Sequence, residues 1–141
     1  MKILVSGSLA FDKIMTYSGR FSDHVIPDKV HTLSVSFVTD NLSEHFGGTA
    51  GNISYNLALL GEHPEILSAA GNDFGPYREW LEHVGVDVGF VRIIPDKPTA
   101  FVTVMTDRYD NQISALYIGT MAESCEVDPN KLLPDSIAIV S

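Results

Sequence analysis

The chain has 141 residues, 45% of them apolar and 19% charged, with a formal net charge of −9. That length fits one modest domain able to bury about 68–70% of its unfolded surface. The acidic balance argues against nucleic acid or anionic lipid as partners. The single cysteine, Cys125, leaves no intrachain disulfide and makes a reduced, cytoplasmic setting the expectation. No apolar run approaches membrane-spanning length.

Ile3-Leu4-Val5, ending at Ser6-Gly7-Ser8, reads as a short strand buried on both faces of a parallel sheet. Between Val30 and Thr39, Leu33, Val35 and Phe37 alternate with Ser34 and Ser36, which predicts a strand with one wet face. A helix is expected from about Gly51-Asn52, with Ile53, Leu57 and Leu60 at helical spacing and Gly61 as its stop. A second helix starts near Pro76 and ends at Gly85, with Tyr77, Trp80, Leu81 and Val84 as its apolar stripe. Glu65–Ala70 and Phe90–Ile94 are strand candidates after these helices, giving β-α-β-α-β order. Ala100–Thr106 and Gln112–Ile118 read as a hairpin around the five-residue loop Asp107–Asn111. Ser136–Ser141 resembles one more buried strand, as expected of a piece of a longer domain.

The densest chemical signal is Phe46-Gly47-Gly48-Thr49-Ala50-Gly51-Asn52-Ile53-Ser54. Three glycines in five residues allow positive φ and close approach to a ligand. A helix follows whose first N–H groups lack intrahelical partners, with the Asn52 amide as donor and acceptor. Such a bend can grip hydroxyls or an anion; it can equally be a tight loop with Asn52 as a helix cap. The segment lacks the Lys-Ser/Thr of a P-loop and does not spell G-x-G-x-x-G after a strand. Asp12, just past the first strand, sits where an α/β sheet exposes residues to a ligand crevice. Its carboxylate would accept strong hydrogen bonds from sugar hydroxyls, or else it is a solvated loop residue.

Together, Gly47-Gly48, Asn52, Ser54, Gly61 and Gly71 resemble the N-terminal pattern of the ribokinase or PfkB family of carbohydrate and nucleoside kinases. The likeness covers essentially the whole chain, against roughly the first half of a family member. Within that family, Ser6-Gly7-Ser8, Asp12, Gly19-Arg20-Phe21-Ser22, Leu33–Phe37 and Asp73–Arg78 look like the bacterial adenosine-kinase branch. So do Gln112-Ile113 and Tyr117–Met121.

The resemblance implies an α/β fold: a partial, ribokinase-like three-layer domain over 1–141 with a small antiparallel β-sheet lid. The lid strands are expected from about 13–46 and 98–118. It implies that Asp12, Gly48 and Asn52 hold ribose hydroxyls, that Ser8 and Ser36 lie near the nucleoside with Ser36 on the lid sheet, and that Gly47-Gly48 is the lid hinge. Against the base, where relatives place aromatic rings, this chain offers Val102 and Leu116, with Phe37 or Phe101 as compensating aromatics.

The family's Asp-Thr-x-Gly-Ala-Gly-Asp motif is absent from residues 1–141. The resemblance therefore assigns no catalytic residue here, and it puts the pocket for ATP and Mg2+ in the remaining half of a family member. The chain alone is expected to be inactive. The expected function is the substrate-binding portion of a kinase converting adenosine and ATP to AMP and ADP. A sugar kinase of the same family and a non-catalytic ligand-binding or pairing module are the alternatives, and a homodimer through the lid sheet is a possible assembly.

The five histidines show no metal-ligand spacing, so no metal site is expected. Asp107 and Asp110 read as a polar turn rather than a cation site, Trp80 as core, and Cys125 as a thiol without an activating base.

Overall fold

The computed structural model describes residues 2–125 and 135–141, the side chains of Ser124 and Cys125 lying outside that description. Strands β1 (Lys2–Ser6), β4 (Pro64–Gly71), β5 (Val91–Ile94) and β8 (Ser136–Val140) form one sheet in the order β5-β4-β1-β8, with every pairing parallel. All eight residues of β4 are buried. A strand covered on both faces shows no regular alternation of apolar and polar residues, and its two polar members are partnered: Glu65 accepts from Lys2 Nζ at 2.6 Å and Ser68 Oγ donates to Gly7 O at 2.6 Å.

Helix α1 (Thr49–Leu59) leads into β4, and α2 (Gly75–His83) links β4 to β5. Both helices stop at a glycine in the left-handed region, Gly61 at φ 89° and Gly85 at φ 91°. At the first stop, Glu62 N–H donates to Leu57 O and Gly61 N–H to Ala58 O; at the second, Val86 N–H donates to Leu81 O and Gly85 N–H to Glu82 O. These paired bonds satisfy carbonyls that a helix end otherwise leaves open, and they favour glycine because a Cβ is strained there. Tyr77 and Leu81 of α2 are buried among Val5, Leu9, Phe11, Ile66, Phe74 and Val91, while Trp80 packs against this core from its edge.

The second sheet has the order β3-β2-β6-β7, from β2 (Ala10–Thr16), β3 (Asn41–Gly47), β6 (Ala100–Thr106) and β7 (Gln112–Tyr117). The β6–β7 hairpin is as expected, and β2–β3 is antiparallel too. The central β2–β6 pairing is parallel, so the sheet is mixed. Both of those strands run outward from the first sheet's side, starting at the buried, paired residues Ala10 and Ala100.

The half-wet strand expected over Val30–Thr39 does not form. Pro27–Thr32 is a 3-10 turn with proline at its start, and residues 33–39 pair with no strand. Asn41–Gly47 occupies the edge of β2 instead. The alternation is nonetheless physical: Val35, Phe37 and Thr39 are half-buried and Ser34, Ser36 and Val38 exposed. Phe37 packs its ring on Tyr17, Phe21 and His24, with centroids 5.0, 4.9 and 5.5 Å away. A ring cluster thus takes Phe37, while Leu33, which the period-two pattern also assigned to the covered face, stays exposed.

The 107–111 loop is a polar turn. The Asp107 carboxylate, only 2% exposed, accepts from Tyr109 N–H, Asn111 N–H, the Asn111 side-chain amide and, across the fold, Phe21 N–H. Burial alone would raise its pKa, but the bonds from Phe21, Asn111 and Tyr109 outweigh that and hold it down at about 2.

Candidate substrate site

The site begins where β1 ends. Gly7-Ser8-Leu9 crosses from the first sheet to the second, and the β3–α1 bend at Gly47-Gly48 lies directly on it. Gly48 adopts φ 89°, and a Cβ there would stand 2.8 Å from both Leu9 Cα and Ala10 N. Both the conformation and the lack of room demand glycine.

Helix α1 starts at Thr49, two residues before the expected point. Its opening N–H groups are not free. Thr49 N–H donates to Ser8 Oγ at 3.0 Å and Ala50 N–H to Ser8 O at 3.0 Å, while Ser8 N–H donates back to Thr49 Oγ1 at 3.2 Å. Ser8 therefore caps the helix from a distant segment, and two of the donors that an anion would use are taken. This is a correction to the open helix start inferred from the glycine pattern: the bend suits hydroxyl groups better than a phosphate. No short-range signal marks it, because the partners lie 41 residues apart.

Asp12 lies within β2 rather than in a loop beyond β1, opposite His45 of β3 and Val102 of β6. A Cβ on Gly47 would meet the Asp12 carboxylate, with Cγ at 2.8 Å and Oδ1 at 2.9 Å. The acid and the glycine bend thus form one surface. Asn52 is exposed in the first turn of α1, its N–H on Gly48 O at 3.0 Å, about 6 Å along the axis from Gly48.

Val102 pairs in register with Leu116 of β7, so Asp12, Val102 and Leu116 form a row across one face of the second sheet. With strands about 4.8 Å apart, that row spans about 10 Å. Val102 is half-buried and Leu116 is 59% exposed.

Ser36 is not on a strand and stands exposed. Its neighbour Phe37 packs on Tyr17, five residues along the chain from Asp12 and so about 16 Å away on an extended strand. Phe101 points to the face opposite Val102, toward Phe11 and the core, so neither aromatic joins the Val102–Leu116 row. Behind Asp12, on the Phe11 face, a cavity of about 350 Å3 is lined by Phe11, Phe46, Phe101, Lys13 and Glu44 among others. Its lysine is already engaged, 3.6 Å from Glu44 and over the Phe101 ring.

Tyr77 enters the site from below, a residue that its sequence position marks only as core. Its hydroxyl donates to Gly47 O at 2.9 Å, and its ring stacks on Phe46 with centroids 4.5 Å apart. Burial, and after it the Asp12 carboxylate, push that hydroxyl well above the ordinary tyrosine range, so it remains a donor. Among the described residues, no three His, Cys, Asp or Glu side chains gather closely enough to hold a metal ion. No described helix is long and apolar enough to cross a membrane.

A parallel α/β sheet, a second sheet growing from it and a glycine bend against a carboxylate define a ribokinase-like α/β fold. The sequence pattern of the pfkB family carbohydrate kinases matches residues 9–131, and the chain belongs to that family. It is 33% identical over 119 residues to a nucleoside kinase of Methanothermobacter thermautotrophicus, covering 83% of this chain and 35% of that protein. The nucleoside kinase of Burkholderia thailandensis in complex with inosine superposes with a TM-score of 0.77 at 36% identity, over 96% of this chain and 43% of that one. The nucleoside kinase of Methanocaldococcus jannaschii, a member of the ribokinase family, shares the fold with a TM-score of 0.76 at 19% identity, over 99% of this chain and 52% of that one. The chain therefore spans about a third to a half of these relatives.

Proposed function

We propose that this chain forms the acceptor-binding portion of an ATP-dependent nucleoside kinase, with a purine nucleoside such as adenosine as substrate. The observation that carries the reading is the Asp12 carboxylate lying against the Gly47-Gly48 bend, one helical turn from Asn52. A carboxylate accepts hydrogen bonds from two adjacent hydroxyls, and the bend admits a sugar ring close to the backbone where any Cβ would block it. Asn52 adds an amide able to both donate and accept. Val102 and Leu116 offer a flat apolar strip on the same face for the base.

ATP, when bound, supplies the γ-phosphoryl group. The part of the reaction that falls to these residues is orientation: gripping the ribose by its vicinal hydroxyls leaves the 5′-hydroxyl directed away from Asp12. Fixing the acceptor in that way accounts for a large share of catalysis in phosphoryl transfer. In this reading the second sheet is a lid, with Gly47-Gly48 among its hinges, and the ATP pocket and general base belong to the remainder of the relatives' length. A kinase for a free sugar uses the same diol grip. The nucleoside reading is favoured by the 36% identity to the Burkholderia enzyme solved with inosine and by the apolar strip beside the acid.

The test is a phosphoryl-transfer assay of the protein as encoded, with Mg-ATP and adenosine, inosine or ribose. Nucleoside monophosphate is the expected product. Preferential turnover of ribose, or no transfer to any of the three, would discard the proposal.

A further inference from the structure

We propose that Tyr77 is a positioning residue for the sugar site: it orients the Gly47–Gly48 peptide so that the Gly48 N–H faces outward as a donor to a substrate hydroxyl. This inference rests on the nucleoside-kinase reading above. Tyr77 lies on α2, in the first sheet's layer, yet its hydroxyl reaches the last residue of β3 in the second sheet. It is 1% exposed, wedged between Phe46, Phe11 and Phe74 with ring centroids 4.5, 5.9 and 5.6 Å away. Rings on three sides hold the phenol rigidly, so its hydroxyl is a fixed point.

The hydroxyl donates to Gly47 O. In a trans peptide the carbonyl oxygen and the next N–H point in opposite directions across one plane. Pulling Gly47 O onto Tyr77 in the core therefore turns Gly48 N–H away from the core. The bend has two glycines and little intrinsic preference for one peptide orientation. An external anchor is what selects one.

Gly51 supports the same device. A Cβ at Gly51 would collide with the Tyr77 hydroxyl, so the third glycine of the cluster makes room for the anchor rather than for a ligand. The same hydrogen bond ties α2 to the junction of β3 and α1. Preorganised donors of this kind contribute because they need no rearrangement when the substrate arrives.

The experiment compares wild type with Tyr77→Phe and Gly51→Ala in the protein as encoded. It reads steady-state kinetics with adenosine, affinity for adenosine and 2′,3′-dideoxyadenosine, and hydrogen exchange at the Thr49 amide. Loss of one such bond corresponds to about a five- to tenfold change. Tyr77→Phe is expected to raise the nucleoside KM by about that factor, leave the ATP KM alone and speed exchange at Thr49, whose N–H is held by Ser8 Oγ beside the anchored peptide. It should also narrow the preference for adenosine over the dideoxy compound, an effect that lost stability alone does not produce. Gly51→Ala, which displaces the hydroxyl without deleting it, should reproduce the pattern. A folded Tyr77→Phe or Gly51→Ala protein with wild-type nucleoside KM and unchanged exchange overturns the proposal, whatever its melting temperature. If wild type binds no nucleoside, the kinase reading fails, and unchanged Thr49 exchange in Tyr77→Phe then overturns the positioning role on its own.

Discussion

Asp12 and Gly47 are diagonal neighbours on β2 and β3, so close that even a methyl group on the glycine would press into the carboxylate. The acid thus occupies the space a side chain at residue 47 would fill, and its oxygens lie over bare backbone. In the proposed reading, that juxtaposition offers a sugar hydroxyl a charged acceptor and a peptide surface within one small area.

Asp12→Ala and Asn52→Ala are each expected to weaken nucleoside binding by about 1–3 kcal/mol, the range for removing one partner of a charged or buried hydrogen bond. Titration calorimetry with adenosine measures it. Both positions are away from the main core, so thermal stability should change much less than affinity.

Gly47→Ala and Gly48→Ala should separate the two roles of the bend. At Gly48 the added Cβ meets Leu9 and Ala10 backbone at positive φ, so a loss of stability of about 1–3 kcal/mol is expected. At Gly47 the three atoms nearest the added Cβ all belong to the Asp12 side chain. Binding should suffer there with a smaller change in melting temperature. Denaturant titration paired with calorimetry on both variants checks the contrast.

Asp107 should make the protein acid-sensitive in a defined window. Its folded-state value of about 2 lies below the ordinary 3.8, so the folded state binds fewer protons between those two pH values. Its contribution is complete above about pH 4 and fades as pH falls toward 2. The stability gap between wild type and Asp107→Asn should therefore be constant from pH 5 to 7 and shrink below about pH 4, as followed by circular dichroism. The released segment should include Phe21, whose N–H the carboxylate holds.

Ser54→Ala should leave the protein as stable or make it more so, by up to about 1 kcal/mol. Ser54 is fully buried in α1 and its hydroxyl has no hydrogen-bond partner among the described residues. Removing an unsatisfied polar atom recovers a desolvation cost and leaves only a one-atom gap. A thermal melt decides; a loss above about 1 kcal/mol would show that the hydroxyl is bonded after all.

Local chemistry in the sequence determined the helices, the parallel strands and the β6–β7 hairpin. Gly61 and Gly85 stop their helices through bonds reaching only a few residues back, and β4 announces its burial by having no polar alternation. The Gly47-Gly48 bend was legible as a short-range cluster of glycines, whereas Asp12 read as a loop residue past the first strand, and only the family resemblance joined the two.

Tertiary structure alone decided which segments pair and where freed donors go. The alternation around Leu33–Phe37 could not reveal that Asn41–Gly47 takes the β2 edge, because strand pairing depends on a competitor elsewhere in the chain. Ser8 capping α1 and Tyr77 gripping Gly47 O join residues 41 and 30 positions apart. Hydrogen bonds over such distances follow from how layers stack in space, and nothing in the flanking residues encodes them.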